Sequence, residues 1–463
     1  VLSAWTASRY LLRYGVRDSC LVSRMSGTVA RAPHLRGAAL VVTAGALAAI
    51  GYATLVPQPG TATESHLCVV CGSLGGVSAI LNILLFVPLG IGLGLSGFSR
   101  KLAVTGMCTL SILIETAQLL VISGRNATIG DVLANTLGGA LGFALARNVF
   151  ILLRPSARVA RLLTVGWAAV WLTIQTASAF AFSFSLPRSQ YYGQIARELG
   201  GSEGFTGQVL HASLADVVVP DERFVDSHRA RELLMRGATL TAAFLPPRFP
   251  NDTTPIVRIA DDSEKEILLL AQIGPNIVYG VRTGAAALRL RPPLFALPRI
   301  FARAAHLDST EANTPVTVRA SYSAREVSVN AQSVASQSLR IPIRAAAGWT
   351  IFLPFEWFIE GSRAELAISA IWTALLLLPM GYWLARAFPF QRAQLSAMMP
   401  IAATVTALLV LYAGTILVPE VFGVNPASGA DWLAALVGIF SGVALAPRPF
   451  AQDRELVGEP IRS

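Results

Sequence analysis

The chain has 463 residues, 53% of them hydrophobic and 14% charged, with a mean hydropathy of +0.56. A water-soluble chain carries about 25% charged residues, so this composition points away from an all-soluble protein. The formal net charge of +10 invites a nucleic-acid reading, but the positions of the charges argue for a membrane, and four cysteines are too few for a disulfide scaffold.

Residues 1–36 are rich in Arg and Ser and nearly free of acid. Organellar transit peptides share this composition, but so do cytoplasmic tails ahead of a first membrane helix, and agreement with the later loops favours the tail. A spanning helix needs about 20 mostly apolar residues. Eight such runs follow, near 37–56, 77–98, 102–122, 129–150, 162–183, 365–385, 396–418 and 430–447. The first is longer than a signal-peptide core, and its flank Leu55-Val56-Pro57-Gln58 lacks a small-x-small cleavage site. In the loop that follows, Cys68 and Cys71 form a CxxC. With no thioredoxin-like βαβ pattern and no second pair at zinc spacing, they read as a small structural disulfide or two idle thiols, and no metal or other cofactor is expected.

Polar residues inside spanning helices are costly, and the first four runs hold an unusual group. The second carries Ser78 and Asn82 one turn apart, then Pro88 and Gly90. The third carries Ser111, Glu115 and Gln118 on one stripe. After the turn Ser123-Gly124-Arg125-Asn126, the fourth opens with Asp131 and Asn135, followed by Gly138, Gly139 and Gly142. Glu115 is seven residues from the expected outer end near Ile122, a depth of about 10 Å. Asn82, Glu115, Gln118, Arg125, Asp131 and Asn135 are thus expected to meet in one pocket facing the outer leaflet. Two readings stand: Arg125 neutralises Asp131 or Glu115 and the amides tie a bundle together, or the six residues form a functional site.

Residues 184–361 have ordinary polarity and short alternating runs separated by Gly, Pro, Asn and Asp. Strands are expected at 238–244, 256–260, 266–272, 277–282, 316–322, 326–330 and 350–353, the pattern of an all-β two-sheet sandwich. The stretch from Thr317 to Asn330 resembles a hairpin of the concanavalin A-like or laminin-G-like sandwiches, although Asn330 is followed by Ala331 where the family often has Gly. That resemblance implies glycan binding. The acidic run Asp261-Asp262-x-Glu264-x-Glu266 reads as a solvated turn rather than a hydrolytic pair.

In the last three helices the motif Asn82-x5-Pro88-x-Gly90 returns as Thr373-x5-Pro379-x-Gly381, offset by 291, and Asp131-x6-Gly138-x3-Gly142 returns as Asp431-x6-Gly438-x3-Gly442, offset by 300. Helices 1–4 and 5–8 thus read as a parallel duplication whose second half has lost Asn82, Asn135 and Glu115-x2-Gln118. If the eight helices alternate, 17 of the 19 basic residues outside 183–361 fall on one side and only Arg125 and Arg363 on the other. Basic residues in short loops mark the cytoplasm, so both termini are expected inside. The inserted segment carries 18 basic and 17 acidic residues, so nucleic acid is not an expected partner.

The motifs Asn82-x5-Pro88-x-Gly90, Glu115-x2-Gln118 and Gly124-Arg125-x5-Asp131-x3-Asn135-x2-Gly138-Gly139-x2-Gly142 together resemble the VanZ-like membrane proteins. The resemblance implies a bacterial envelope protein, related to one that gives low-level resistance to the glycopeptide teicoplanin. The expected fold is a multi-pass α-helical membrane protein of about eight transmembrane helices, with both ends inside and an extracytoplasmic β-sandwich. Its parts are a basic tail (1–36), VanZ-like helices 1–4 (37–161), helix 5 (162–183), the sandwich (184–361), helices 6–8 (362–447) and a cytoplasmic tail (448–463). The expected compartment is the bacterial inner membrane, and the expected partners are membrane lipid and a lipid-linked saccharide or glycan. An enzyme would use Glu115 or Asp131 as acid and base, with Asn82, Gln118, Arg125 and Asn135 binding the ligand. A transporter would use the same residues along its path, and a scaffold would need none.

Overall fold

The computed structural model describes residues 33–57, 68–197, 204–246, 253–301, 314–333, 336–353, 355–388 and 398–446. The expected tails 1–36 and 448–463 lie outside these residues, except that 33–36 already belong to the first helix. The chain divides into two compact units at Arg154 and Pro155.

The first unit holds α1 (Pro33–Leu55), α2 (Gly75–Leu95), α3 (Arg100–Leu120) and α4 (Ile129–Arg147), and ends in a short helical turn, Val149–Leu153. Hydroxyls set two of the starts: Ser99 accepts from the Leu102 N–H and Thr128 from the Asp131 N–H. α2 and α4 approach closely because glycines line the seam. A Cβ on Gly138 would fall onto the Ile83 carbonyl, and one on Gly142 onto that of Val87. Phe86, Leu89, Met107 and Phe143 fill the core between the helices.

The second unit holds α5 (Ala157–Phe182), a β-sheet-rich region and three further apolar helical segments. After the β region come α7 (Arg363–Ala387), α8 (Met398–Tyr412) and α9 (Gly429–Leu445); α8 runs on through a π turn, Ala413–Leu417, into Val418–Val421. Trp171, Leu377, Met380, Leu411, Ala435 and Ile439 form their core. Here too glycines allow contact with backbone: a Cβ on Gly438 would meet the Ala374 carbonyl, and one on Gly442 that of Leu378. Among the described residues, seven helices are long and apolar enough to cross a membrane, and α9 is apolar but shorter, at 17 residues.

The β region comprises β1 (Tyr191–Ile195), β2 (Gln208–Leu214), β3 (Val217–Val218), a helix α6 (Ser227–Met235), and β4 (Leu240–Leu245) through β5 (Thr253–Asp261), β6 (Glu266–Ile273), β7 (Asn276–Val281) and β8 (Leu294–Leu297). It continues with β9 (Val316–Tyr322), β10 (Glu326–Gln332), β11 (Ser336–Pro342) and β12 (Phe358–Ile359). One six-stranded sheet has the order β1-β5-β6-β7-β8-β12 and the other β11-β10-β9-β4-β2-β3. The β9–β10 hairpin pairs Tyr322 with Val327 and Val318 with Ala331, so its alternating apolar residues are all buried on one face. Phe295 of β8 meets Tyr322 of β9, with ring centroids 5.9 Å apart, where the sheets touch.

Two expectations need correction, and some strands were not expected at all. The region is not all-β, because Asp226 caps the nine-residue α6 by accepting the Arg229 N–H. Residues 350–353 form no strand; they end a 3-10 helix, Ala345–Phe352. Its small residues press against α5, Gly348 lying on Ser178, while the Trp349 indole donates to Ser369 Oγ at 2.9 Å, and this packing overrides the β-branched composition. Several strands carried no readable alternation. β11 is a polar edge strand with one buried residue, Ile341, and a bulge between Val209 and His211 breaks the period of β2.

The β region is fixed to the helices of its own unit. The Tyr322 hydroxyl donates to the Phe182 carbonyl at 2.6 Å, Arg325 pairs with Glu420 at 3.2 Å, and the Asn425 side chain donates to the Arg325 carbonyl.

Candidate functional site

In the first unit Ser78, Leu81, Asn82, Leu85 and Pro88 fall on one face of α2, and Gly45, Ala49 and Ala53 fall on one face of α1. Together with α3, α4 and the loops α1–α2 and α3–α4 they line a cavity of about 1090 Å³. All six polar residues named from the sequence line it: Asn82, Glu115, Gln118, Arg125, Asp131 and Asn135. α3 ends at Leu120, two residues earlier than expected, and the following loop folds back so that Thr128 lies level with Glu115.

The arrangement of bonds differs from a simple ion pair. Among the described residues, no ion pair within 4.0 Å joins Arg125 to Glu115 or Asp131. Arg125 instead caps the end of α1, its Nη2 donating to the Ala53 carbonyl at 2.6 Å and its Nε to that of Val56 at 3.2 Å. A cation at a helix C-terminus meets the negative end of the dipole. Half-burial draws the Arg125 pKa below its ordinary value, yet guanidinium stays charged in proteins.

The two carboxylates share one residue. The Thr128 backbone N–H donates to Glu115 Oε2 at 2.9 Å, and its hydroxyl donates to Asp131 Oδ2 at 2.8 Å. Asn82 Nδ2 donates to Asp131 Oδ1, so both Asp131 oxygens are occupied. Gln118 Nε2 reaches the Thr54 carbonyl at 2.9 Å, and Asn135 Nδ2 reaches Ser111 Oγ at 2.9 Å. Asn135 is 1% exposed, and its Oδ1 has no hydrogen-bond partner among the described residues. A buried acceptor without a donor costs about 1–3 kcal/mol, which makes this the least satisfied atom of the site.

Sequence reading missed Thr128, although Thr128-x-x-Asp131 is a helix-start signature. It also missed the apolar half of the cavity. The signal there was the small-residue spacing Gly45-x3-Ala49-x3-Ala53, which leaves a cleft beside α2; a Cβ on Gly45 would meet nothing within 4 Å. The loop through the disulfide-bonded Cys68 and Cys71 supplies one wall: Val69, Cys71 and Gly72 line the cavity, and the Gly130 N–H donates to the Cys68 carbonyl at 3.2 Å.

In the β region the acidic run at 261–266 holds a turn together, but Asp261 is not solvated. It is 5% exposed, and its Oδ1 accepts from the Ser263 N–H, the Ser263 hydroxyl and the Lys265 N–H, while Arg282 lies 3.5 Å from Oδ2. Burial alone raises its pKa, but these donors and Arg282 outweigh it and leave the carboxyl below its ordinary value. Glu266 faces Arg258 at 3.9 Å, so two of the run's four carboxyl groups are held by arginines.

Residues 38–153 match the family model described as VanZ/LLP1, so the first helix set is a VanZ-like domain. No curated protein and no solved structure matches the chain. A VanZ-like domain together with seven helices, among the described residues, of membrane-spanning length and apolarity makes this an envelope-associated membrane protein.

Proposed function

We propose that the VanZ-like domain binds the polar head of an amphipathic membrane ligand, such as a lipid-linked saccharide, in the cavity of α1–α4. One observation carries this: a single cavity is lined both by the six polar side chains and by the apolar or small residues Gly45, Ala49, Leu81, Leu85 and Pro88. A head would lie against Arg125 and the carboxylates, and its chain would leave between α1 and α2 into the bilayer. Arg125 is held by carbonyls rather than by acids, which keeps its remaining N–H groups available to a phosphate or carboxylate. In this reading α5 and α7–α9 are a degenerate repeat of α1–α4, and the two sheets form a concanavalin A-like sandwich that engages an envelope glycan. Both termini lie in the cytoplasm and residues 184–361 lie outside.

Lipids that copurify with the full-length protein from native membranes test the head site. A phosphate-bearing lipid should be retained by the wild type and by Asp431→Asn, and lost from Arg125→Ala and from Ala49→Leu, which closes the cleft. Retention that ignores Arg125→Ala overturns the proposal. For orientation, cysteines introduced at Gly60 and Ser309 should react with an impermeant thiol reagent in intact cells and one at Arg158 should not. Labelling at Arg158 sinks the layout.

A further inference from the structure

The cavity's charges do not match a purely anionic head. It holds one guanidinium, Arg125, and two carboxyl groups, Glu115 and Asp131. A phosphate alone would add a negative charge to a site that already has more acids than bases, inside a low-dielectric span where unmatched charge is costly.

The hydrogen bonds give the missing half of the ligand. At the outer end, Arg125 uses Nε and Nη2 on the Ala53 and Val56 carbonyls and keeps Nη1 for the cavity. Deeper in, two acceptors are left unused. Asn135 Oδ1 is buried and unpartnered, and Glu115 uses only Oε2, on the Thr128 N–H. Asn135 bonds to Ser111, which lies four residues before Glu115 on α3, about one helical turn or roughly 6 Å further in. The Ser111 hydroxyl already receives the Asn135 amide, and Thr128 and Asn82 already serve Asp131. The deep end, with two carboxyl groups and an unpartnered amide oxygen, therefore suits a group that is positively charged and carries several N–H donors.

We propose that the head bound here carries a primary ammonium as well as a phosphate, the phosphate on Arg125 and the ammonium among Glu115, Asp131 and Asn135 Oδ1. This rests on the amphipathic-ligand reading above and names the head chemistry. A primary ammonium has three donors and a full charge, and it satisfies the Asn135 oxygen and the second Glu115 oxygen together. A trimethylammonium has the charge but no N–H, and a glycerol head has hydroxyls but no charge. Two lipids offer the required pair of groups: a phosphoethanolamine glycerolipid, and a polyprenyl phosphate bearing a sugar with a free amine.

The test is native mass spectrometry of the full-length protein released from phosphatidylglycerol nanodiscs doped with one lipid at a time. Phosphatidylethanolamine should be retained about tenfold over phosphatidylcholine and phosphatidylglycerol, with its N-methyl and N,N-dimethyl forms graded between as N–H donors are removed. Glu115→Gln keeps an acceptor for Thr128 and should reduce retention to the phosphatidylcholine level. A polyprenyl phosphate amino sugar retained above phosphatidylethanolamine, and lost on N-acetylation, assigns the head to a lipid-linked sugar; the reverse order assigns it to a glycerolipid. Equal retention of phosphatidylglycerol and phosphatidylethanolamine, still abolished by Arg125→Ala, overturns the ammonium site and leaves the head site standing. Retention of every lipid regardless of Arg125 overturns both. The N-methyl series needs no variant, so a Glu115→Gln protein that fails to fold does not rescue the idea from a flat series.

Discussion

In the VanZ-like helix set Gly138 faces the Ile83 carbonyl, Gly142 that of Val87, and Gly90 that of Gly139. In the second set Gly438 faces Ala374, Gly442 faces Leu378 and Gly381 faces Ile439, the same three contacts at offsets of 291 and 300. The cores correspond as well, Phe86 and Leu89 with Leu377 and Met380. What differs is where the polar groups turn. Asn82 and Glu115 bond across to Asp131 and Thr128, whereas Thr373 and Thr415, at the same offsets of 291 and 300, bond back to Ser369 and Leu411 of their own helices. Asp131 is bridged to α2, while Asp431 is used up in a capping box, its Oδ2 accepting from the Ser428 N–H at 2.8 Å and hydroxyl at 2.7 Å. Ala345 and Ala346 close over Thr373 and Asp431, and the space left is about 10 Å³ against 1090 Å³ in the first set. Close packing of the helices is thus separable from the site, and the site exists only where side chains face across the helices and nothing fills the space between.

The sharpest break would come at the shared seams. Gly142→Leu and Gly442→Leu each drive a side chain into a backbone carbonyl, an overpacking worth about 1–3 kcal/mol or more. Each should lower the apparent melting temperature in detergent by a similar amount, whereas Gly45→Leu, facing open space, should leave it unchanged and abolish lipid retention. A large effect at Gly142 with none at Gly442 would break the correspondence.

Next in size are the paired aspartates. Asp131→Asn should cut retention of a phosphate-bearing lipid at least several-fold with abundance preserved. Asp431→Asn should leave retention unchanged and cost only the value of a helix cap, about 1 kcal/mol, in thermal unfolding. Equal loss of retention at both positions would mean that the first cavity is not the binding site.

Arg125→Lys sharpens the site itself. A lysine ammonium serves either the α1 carbonyls or a ligand phosphate but lacks the fork that reaches both, so retention should fall about threefold to tenfold. Because Arg125 is not paired with Asp131, the double variant Arg125→Ala with Asp131→Ala should show no rescue over the single changes. Rescue would return the pair to a structural role.

The smallest expected effect on retention is that of a graft. Thr373→Asn, Thr415→Glu and Ala435→Asn restore the polar residue types to the second set, but no cavity is there to receive a head. Native mass spectrometry should show no second bound lipid, and the melt should shift downward because the new polar groups are buried without partners. A second lipid would show that residue identity alone makes the site.

Sequence alone determined the helices, because about 20 apolar residues between loops have no other arrangement that satisfies their backbone in a bilayer. Five of the six polar residues were legible for the same reason, since each is costly in an apolar run, while Arg125 stood out in the turn between two runs, and glycine spacing marked the seams that bring α2 to α4. Tertiary structure decided their partners. Arg125 reads as the counter-ion of Asp131 or Glu115 by proximity in the chain, yet it caps α1, whose end at Ala53 and Val56 lies about 70 residues earlier. Thr128 joins the two acids only because the loop after α3 folds back to the level of Glu115. The cleft beside Gly45 and Ala49, and its absence beside Thr373, were invisible for a related reason. A cavity is the space that packing leaves, set by which helix or loop lies opposite, and in the second unit that neighbour is the Ala345–Ala346 turn contributed by the β region.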